Sequence, residues 1–348
     1  MEYPQFKVCV RCFTFNQSKF ITDAMDGFTL QQTSFPYVCC IVDDASTDDE
    51  QKVIKRYIIE HFNLQDSIVS FEKETEYAHI IFAQHITNHN CYFAALFLKE
   101  NLYSKKQGYK KFDYISEWRD KCEYEAMCEG DDYWIVPDKL ERQVQIMDKN
   151  PDVGLVYSKV KAITESGNTY LFGKKVSSFL ELLRENTIPT LTTCYRKALY
   201  DNYLLEINPA KQNWKMGDYP LWLYLSTIGE INFVNEISGI YRVLKESASH
   251  SNDITKTIEF VENYFIIKRH FIDKYLDGDV KLINKIERRK NWSIFVEYII
   301  SGDYETAFSY SKVVKNNFNF IQCIWIYLFK LFPSFRTVCR KRWLRFSK

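Results

Sequence analysis

The segment Tyr37-Val-Cys-Cys-Ile-Val-Asp-Asp-Ala-Ser-Thr-Asp48 is the strongest fold signal in this 348-residue chain. Its first six residues form one continuous apolar run, which is typical of a strand buried on both faces of a parallel sheet. Two aspartates follow directly, at the carboxyl end of that strand. In open α/β sheets, ligands bind beyond the carboxyl ends of the strands. The segment therefore predicts one strand of the fold and one side of a binding site.

Similar runs alternate with helical patterns over the first 160 residues. We expect strands at 7–13, 37–42, 124–128 and 153–158, and helices at 19–31, 49–62 and 137–149. This alternation predicts an α/β fold with a mostly parallel central sheet flanked by helices. Beyond residue 251 the pattern is helical, with amphipathic segments at 254–275, 279–301 and 304–316.

A second acidic turn follows the strand expected at 124–128. It reads Glu129-Gly-Asp-Asp132 and resembles the Asp43-Asp44 pair in its position at a strand end. Adjacent carboxylates at the mouth of a buried strand repel each other unless a cation or hydrogen-bond donors meet them. A hard divalent cation that also binds phosphate oxygens meets this need. For residues 43–49, an acidic turn that caps the next helix is the alternative.

Several protein classes lose support because their motifs are missing. No GxGxxG follows the first strand and no GxxxxGK[ST] occurs, which disfavours dinucleotide-binding and P-loop folds. Cys9 and Cys12 have CxxC spacing, but odd spacing in a strand points their side chains to opposite faces. No second CxxC completes a zinc site. Ten cysteines, mostly in apolar runs and without a signal peptide, predict reduced thiols in a cytoplasmic protein.

Basic residues are concentrated at the C-terminal end. Residues 330–348 hold seven of the 46 basic residues and none of the 45 acidic ones. The other 329 residues carry 39 basic and 45 acidic side chains, a balance of −6, which predicts no nucleic-acid partner. The apolar segment 318–332 is shorter than the roughly 20 residues of a membrane span. Two readings stay open: peripheral attachment to the inner-membrane surface through this helix and the basic tail, or packing within its own domain.

Three successive motifs resemble those of glycosyltransferase family 2. They are Val8-Cys-Val-Arg-Cys-Phe-Thr-Phe-Asn-Gln17, Ile41-Val-Asp-Asp-Ala-Ser-Thr-Asp48 and Cys128-Glu-Gly-Asp-Asp-Tyr-Trp134. The resemblance covers about residues 5–245 and is typical of bacterial enzymes that build surface polysaccharides. It implies the GT-A nucleotide-diphospho-sugar transferase fold and a nucleotide-sugar donor, often a UDP-sugar. It also implies a glycan or lipid-linked acceptor, with Mn²⁺ or Mg²⁺ as cofactor.

The resemblance also implies a donor-binding set, which comprises Phe13, Thr14, Phe15, Asn16, Asp43, Asp44, Asp131 and Trp134. Within it, residues 13–16 and Asp44 would form the nucleoside pocket, and Asp131 would contact the ribose or nucleotide. Asp132 would hold the metal against the donor diphosphate. His250 would be a further metal ligand or else an exposed loop histidine. Trp134 would stack on a sugar ring or else pack in the core.

The segment Met216-Gly-Asp-Tyr-Pro-Leu-Trp222 resembles the one that supplies the family's general base. Asp218 is therefore the candidate catalytic residue. It would take the proton from the acceptor hydroxyl in a single displacement that inverts the anomeric carbon. Capping of the helix that follows is the alternative role.

Two domains are expected. Residues 1–245 would form the GT-A domain, with a donor half at about 1–160 and an acceptor half at about 161–245, and residues 246–348 would form a helical region. The interval 45–130 is longer than in many relatives, and its stretches at 85–92 and 101–118 indicate an insertion near the donor site. Two other functions stay open. One is a metal-dependent nucleotidyltransferase, which would leave Asp218 without a catalytic role, and the other is a non-catalytic nucleotide-sugar-binding or scaffold protein of the same fold.

Overall fold

The computed structural model describes residues 4–244 and 253–346. Its strands are β1 (Val8–Thr14), β2 (Tyr37–Asp43), β3 (Phe62–Asn63), β4 (Ser70–Glu74), β5 (Ala78–His85), β6 (Cys91–Leu98), β7 (Tyr124–Met127), β8 (Tyr133–Trp134), β9 (Val153–Thr164), β10 (Thr169–Phe172), β11 (Cys194–Arg196) and β12 (Glu230–Val243). Its α-helices are α1 (Ile21–Thr29), α2 (Glu50–His61), α3 (Lys110–Tyr114), α4 (Ser116–Arg119), α5 (Lys139–Lys149), α6 (Phe179–Arg184), α7 (Lys197–Glu206), α8 (Asp218–Ile228), α9 (Ile254–Tyr275), α10 (Val280–Ser301), α11 (Tyr304–Val313), α12 (Phe320–Leu331) and α13 (Pro333–Phe346).

One sheet contains all the described strands, in the order β3-β5-β6-β2-β1-β7-β11-β9-β12-β8, with β4 paired to β5 and β10 to β9. The four central strands β6-β2-β1-β7 are parallel. Antiparallel pairs extend the sheet on both sides, from β6 to β5 and from β7 to β11. The predicted parallel centre flanked by helices is confirmed, and β2 lies in it as its apolar run predicts.

The central sheet is buried on both faces. Successive residues of β1 alternate between two apolar clusters: Val8, Val10 and Cys12 pack with α1, α2 and α5, whereas Cys9 packs with Trp118 of α4. This alternation follows from the two-residue period of a strand. It also confirms that Cys9 and Cys12 point to opposite faces, so they do not form a metal-binding pair.

The interval 45–130 contains strands of the central sheet that the sequence did not predict. The strands β3 to β6 all lie in it, and β6 pairs with β2 in parallel, with Cys39 opposite Phe93. The expected insertion at 85–92 is therefore largely the end of β5, a turn and the start of β6. The stretch at 101–118 is different, because it forms a loop and the short helices α3 and α4 outside the sheet.

Among the described residues, the chain divides into two compact units. The first includes residues up to Ile163, Thr169–Ala210 and Leu221–Arg242, and the second includes Thr164–Asn168, Lys211–Pro220 and the region from Val243 onward. In the second unit α9, α10 and α11 are each preceded by an N-cap aspartate, and each of these side chains accepts a backbone N–H of the first turn: Asp253, Asp279 and Asp303. Aspartate is a favoured N-cap because its carboxylate satisfies an otherwise unpaired donor. These caps explain why the helical segments agreed so closely with the sequence pattern.

The C-terminal basic segment is helical as far as Phe346, because α13 covers Pro333–Phe346. The apolar segment before it forms α12, which starts with a capping box between Asn319 and Gln322. No helix in the described part of the chain is both long and apolar enough to cross a bilayer.

Candidate donor and metal site

Three loops meet at the carboxyl end of the parallel strands β1, β2 and β7. The loop after β1 is joined to the loop after β2 through Asn16, whose side-chain oxygen accepts the backbone N–H groups of Thr47 (2.8 Å) and Asp48 (3.3 Å). Asn16 has a φ of 55°, a left-handed conformation that asparagine tolerates better than most residues. The Asn16 N–H donates in turn to Ser46 Oγ at 2.9 Å. The two loops are therefore held in one arrangement by several hydrogen bonds.

The loop after β7 lies against the loop after β1 at Gly130. A Cβ atom at this position would be 2.6 Å from Gln17 Oε1 and 2.9 Å from Ile21 Cδ1, and closer still to Thr14 Oγ1. Such distances are well below the optimal non-bonded separation of about 3.5–4.0 Å. Glycine is thus required here for the close approach of two loops.

The acidic turn after β7 forms a cluster of three carboxylates. Glu129, Asp131 and Asp132 each offer an oxygen within 4.8 Å of the others, and they range from exposed (Glu129) through half-buried (Asp131) to buried (Asp132). Burial raises the pKa of Asp131. Burial also raises the pKa of Asp132 well above its usual range, and the charges of Asp131 and Glu129 raise it further. A cation at the cluster would relieve this repulsion.

Arg242 on β12 holds the acidic turn through two hydrogen bonds. Its backbone N–H donates to Asp132 Oδ1 (2.8 Å), and its guanidinium Nη1 donates to the backbone oxygen of Asp131 (2.7 Å). Its Nη2 pairs with Asp23 of α1. The hydrogen bonds of this guanidinium are therefore with a backbone oxygen and with Asp23.

The acidic cluster fits a hard divalent cation. Oxygen ligands from carboxylates are those that Mg²⁺ and Mn²⁺ prefer, and such ions keep positions for water or phosphate oxygens. The cluster was anticipated from the sequence at Asp131 and Asp132. Glu129 belongs to the same turn but was not predicted as a ligand. The resemblance had placed Tyr241-Arg242 in a loop over the donor, but the contact of Arg242 with Asp132 was not predicted, because no local signal connects residue 242 to residue 132.

Asp44 is buried and fully engaged by the segment that follows β6. Its carboxylate accepts the backbone N–H groups of Leu102 (2.8 Å) and Tyr103 (3.1 Å) and pairs with Lys111 Nζ at 2.7 Å. The sequence did not predict the role of Lys111, and no motif marks it. Asp44 therefore anchors residues 101–111 against the end of β2.

The aromatic residue next to this anchor is Phe13. Its ring packs edge-on against Phe112 (centroids 5.4 Å apart) and lies 5.4 Å from Lys111 Nζ. The next residues differ in accessibility: Thr14 is buried and hydrogen-bonded to Glu50, whereas Phe15 and Asn16 are exposed. The structure therefore brings together residues 13–16, Asp44, Asp131 and Asp132, which the sequence had grouped.

Two members of the predicted donor-binding set are core residues. Asp43 is fully buried, and its Oδ1 accepts the Ser46 N–H (3.1 Å) and the Gln51 side-chain amide (2.6 Å), so it stabilises the turn into α2. Trp134 is only 2% exposed, and its indole N–H donates to the Leu191 carbonyl oxygen at 2.5 Å. Neither side chain offers a free surface to a ligand. The sequence had left this outcome open, with a helix-capping turn as the alternative for residues 43–49 and core packing as the alternative for Trp134.

Two predicted site residues remain, Asp218 and His250. Asp218 is the first residue of α8 in the second compact unit, where its Oδ1 accepts the Tyr219 N–H at 2.7 Å. This position agrees with the helix-start alternative and leaves the catalytic role a prediction. His250 lies outside the described residues.

Sequence comparisons identify relatives of this chain in Mycobacterium. No protein-family model matches the chain. It is 29% identical over 244 residues to uncharacterized protein Rv1520 of Mycobacterium tuberculosis and to uncharacterized protein Mb1547 of Mycobacterium bovis. The alignments cover 68% of this chain and 59% of each relative, so the chain spans less than two-thirds of these relatives.

Two solved structures have a similar fold. S. aureus TarS 1–349 in complex with UDP-GlcNAc has a TM-score of 0.50 and 14% identity, covering 84% of this chain and 81% of that one. The mannosyltransferase PcManGT from Pyrobaculum calidifontis, in complex with GDP-Man and Mn²⁺, has a TM-score of 0.52 and 12% identity, covering 100% and 85%. The predicted glycosyltransferase fold of the GT-A type, with a helical C-terminal region, is confirmed. At these identities the likeness establishes the fold, which many activities can share.

Proposed function

We propose that this chain is an inverting, metal-dependent glycosyltransferase of the family 2 type that builds a bacterial surface polysaccharide. It would transfer a hexose from a nucleotide sugar, most simply a UDP-sugar, to a hydroxyl of a glycan or lipid-linked acceptor. The observation that carries the proposal is the cluster of Glu129, Asp131 and Asp132 at the end of β7 in a GT-A fold. The nucleotide sugars in the complexes of TarS and of the mannosyltransferase support it.

The cofactor would be Mn²⁺ or Mg²⁺, held by Asp132 with Asp131 and Glu129 as its neighbours. Such an ion would neutralise charge on the departing nucleotide. The protein's own contribution is to hold the ligands in place: Arg242 fixes Asp132 and the backbone of Asp131, and Gly130 keeps the turn against the loop after β1. The Mn²⁺ in the mannosyltransferase complex supports this assignment.

The donor nucleoside would lie against residues 13–16. Phe13 and Phe15 provide ring faces, and Asn16 fixes the loop that carries them. Because the Asp44 carboxylate is already engaged, we assign it an indirect role: it holds Lys111 and Phe112 beside Phe13. The cation that helps to define this pocket would then be Lys111.

Asp218 would be the general base for the acceptor hydroxyl. We propose a catalytic domain at residues 1–245 with the acceptor half at 161–245, followed by the helical region at 246–348. The reaction would take place on the cytoplasmic side, where nucleotide sugars are the donors. Asp218→Asn separates the two candidate roles, because asparagine caps helices about as well as aspartate but is not a base. If the variant keeps the free energy of unfolding of the wild type but loses sugar transfer, the catalytic role is supported. If the rate of sugar transfer is unchanged, the catalytic role is excluded.

The first experiment measures binding and hydrolysis of UDP-, GDP-, CMP- and dTDP-sugars with Mn²⁺ or with EDTA. The variants are Asp132→Asn, which removes a ligand charge at nearly constant size, and Glu60→Gln as a matched control on the exposed surface of α2. We expect one donor to bind in a metal-dependent way, with Asp132→Asn losing the effect and Glu60→Gln keeping it. If no donor interacts in the presence of metal, the transferase proposal fails and the scaffold alternative gains support.

A further inference from the structure

Helix α12 presents an apolar stripe to solvent. Phe320 is 81% exposed, Ile321 64% and Tyr327 62%, and Ile324 and Leu331 are also exposed. Residues 320, 324, 327 and 331 follow the i, i+4, i+7, i+11 spacing of a single helix face. Soluble proteins rarely leave a continuous apolar patch of this kind uncovered, and such patches mark sites of interaction.

The opposite face of α12 is packed, so the exposed stripe is a feature of a well-formed helix. Phe329 is fully buried in a cluster with Phe295 and Phe318, and Trp325 packs against it with ring centroids 5.6 Å apart. The capping box at Asn319 fixes the first turn. The helix thus packs on its own unit with one side, as one of the two readings of segment 318–332 expects, and its other side is exposed in the described part of the chain.

The part of the sequence that contains this stripe carries charge of one sign. After Glu305 the chain contains no acidic residue, and its nine basic residues are Lys312, Lys315, Lys330, Arg336, Arg340, Lys341, Arg342, Arg345 and Lys348. Two of them also support the fold: the Arg336 guanidinium lies 3.8 Å from the Tyr304 ring centroid, and Arg340 donates to the Ile300 carbonyl oxygen at 2.8 Å. Both contacts are with uncharged groups, so the positive charge is not neutralised by them.

We propose that the exposed face of α12 docks onto a bilayer of anionic phospholipids. An apolar stripe attached to an acid-free basic segment has the composition of an interfacial helix, which inserts its apolar face among the lipids and its cations among the headgroups. The twelve residues of α12 span about 18 Å, which is too short for the roughly 30 Å hydrocarbon core. The helix therefore lies along the surface. This proposal does not depend on the transferase activity.

The test is flotation of the full chain with vesicles of phosphatidylcholine containing about 30 mol% phosphatidylglycerol, compared with vesicles of phosphatidylcholine alone. The variant is Phe320→Ser with Ile321→Ser, which removes two exposed side chains. The matched control is Leu205→Ser on α7, where an equally exposed leucine (83%) lies outside the stripe. Circular dichroism and metal-dependent donor binding check that each variant is folded.

We expect the wild type and Leu205→Ser to float with the anionic vesicles, and binding to weaken when NaCl rises from about 0.1 M to about 0.5 M. The double variant should bind at least about tenfold more weakly, because each inserted apolar side chain contributes to the partition. Equal flotation of all three proteins, or no flotation with anionic vesicles, would overturn the proposal. So would a dimer of the wild type that dissociates in the double variant, since the stripe would then be covered by a second copy. Donor binding is measured separately, so its loss would count only against the transferase proposal.

Discussion

Alanine at position 130 would place a methyl group between the two loops that carry the candidate nucleoside and metal residues. The new Cβ would lie 2.6 Å from Gln17 Oε1 and 2.9 Å from Ile21 Cδ1. Gln17 and Ile21 can shift at their ends, but Thr14, which lies closer still, is buried and bonded to both Glu50 and Gln17. Relief of the contact therefore requires the loops to separate or a buried hydrogen bond to break.

The expected magnitude follows from these contacts. Overpacking of a filled site costs about 1–3 kcal/mol, and a lost hydrogen bond adds about 1 kcal/mol. The loss of chain freedom in the unfolded state, when glycine becomes alanine, offsets about 0.5 kcal/mol. We expect Gly130→Ala to lower the free energy of unfolding by about 2 kcal/mol. A displacement approaching 1 Å at the site would lower donor turnover by on the order of 100-fold.

The matched control is Gly108→Ala, because a Cβ at Gly108 would meet nothing within 4 Å. Both variants are compared with the wild type by urea unfolding followed through tryptophan fluorescence, and by titration with UDP-sugar and Mn²⁺. Surface substitutions usually change the free energy of unfolding by no more than about 0.5 kcal/mol. If the free energies of unfolding of Gly130→Ala and Gly108→Ala differ by no more than this, the close approach of the two loops at Gly130 is refuted. Unchanged donor binding in a destabilised variant would instead show that the loop contact does not shape the donor site.

Three further predictions concern buried charges. Lys111→Met removes the cation paired with buried Asp44, so we expect the free energy of unfolding to fall by about 3 kcal/mol and proteolysis within 101–111 to become faster. The control Lys105→Met breaks an exposed pair with Glu100 and should change the free energy of unfolding by less than about 1 kcal/mol. Equal effects of the two substitutions would contradict the anchor role of Asp44. Glu125 is the shared carboxylate of two buried cations, Arg119 (2.7 Å) and Arg11 (3.5 Å). Calorimetry should therefore show that Glu125→Gln lowers the free energy of unfolding by about 3–5 kcal/mol. A loss no larger than that of Asp201→Asn, which changes a half-exposed partner of Arg119, would refute this prediction. Burial lowers the pKa of Lys139 from 10.5 to about 8, so its folded state favours the neutral amine and the stability of the wild type should rise with pH between about 8 and 10.5. Lys139→Met should therefore be more stable than the wild type by on the order of 2 kcal/mol at pH 7, with the difference shrinking above pH 8; parallel stability curves for the two proteins would show that Lys139 is not desolvated.

The sequence determined those features that depend on neighbours along the chain. The six apolar residues before Asp43 predict a doubly buried strand wherever they occur, because only a sheet covered on both faces hides every side chain of the run. The acidic turn at 129–132 directly follows a second strand that the sequence predicts, at 124–128. The helices of the second unit were predictable since aspartate caps and apolar spacing act within one or two turns.

Only the tertiary structure decided which distant residues meet. Arg242 reaches Asp132 across 110 positions of sequence, and Lys111 reaches Asp44 across 67, because β12 and the segment after β6 return to the same end of the sheet. The same packing buries Asp43 and Trp134, for which the motifs had left both a donor-binding role and a structural role open. Local sequence fixes the direction in which a side chain leaves its strand or turn. Whether that side chain then meets solvent, a counter-charge or another layer of the core depends on segments that the local pattern does not contain.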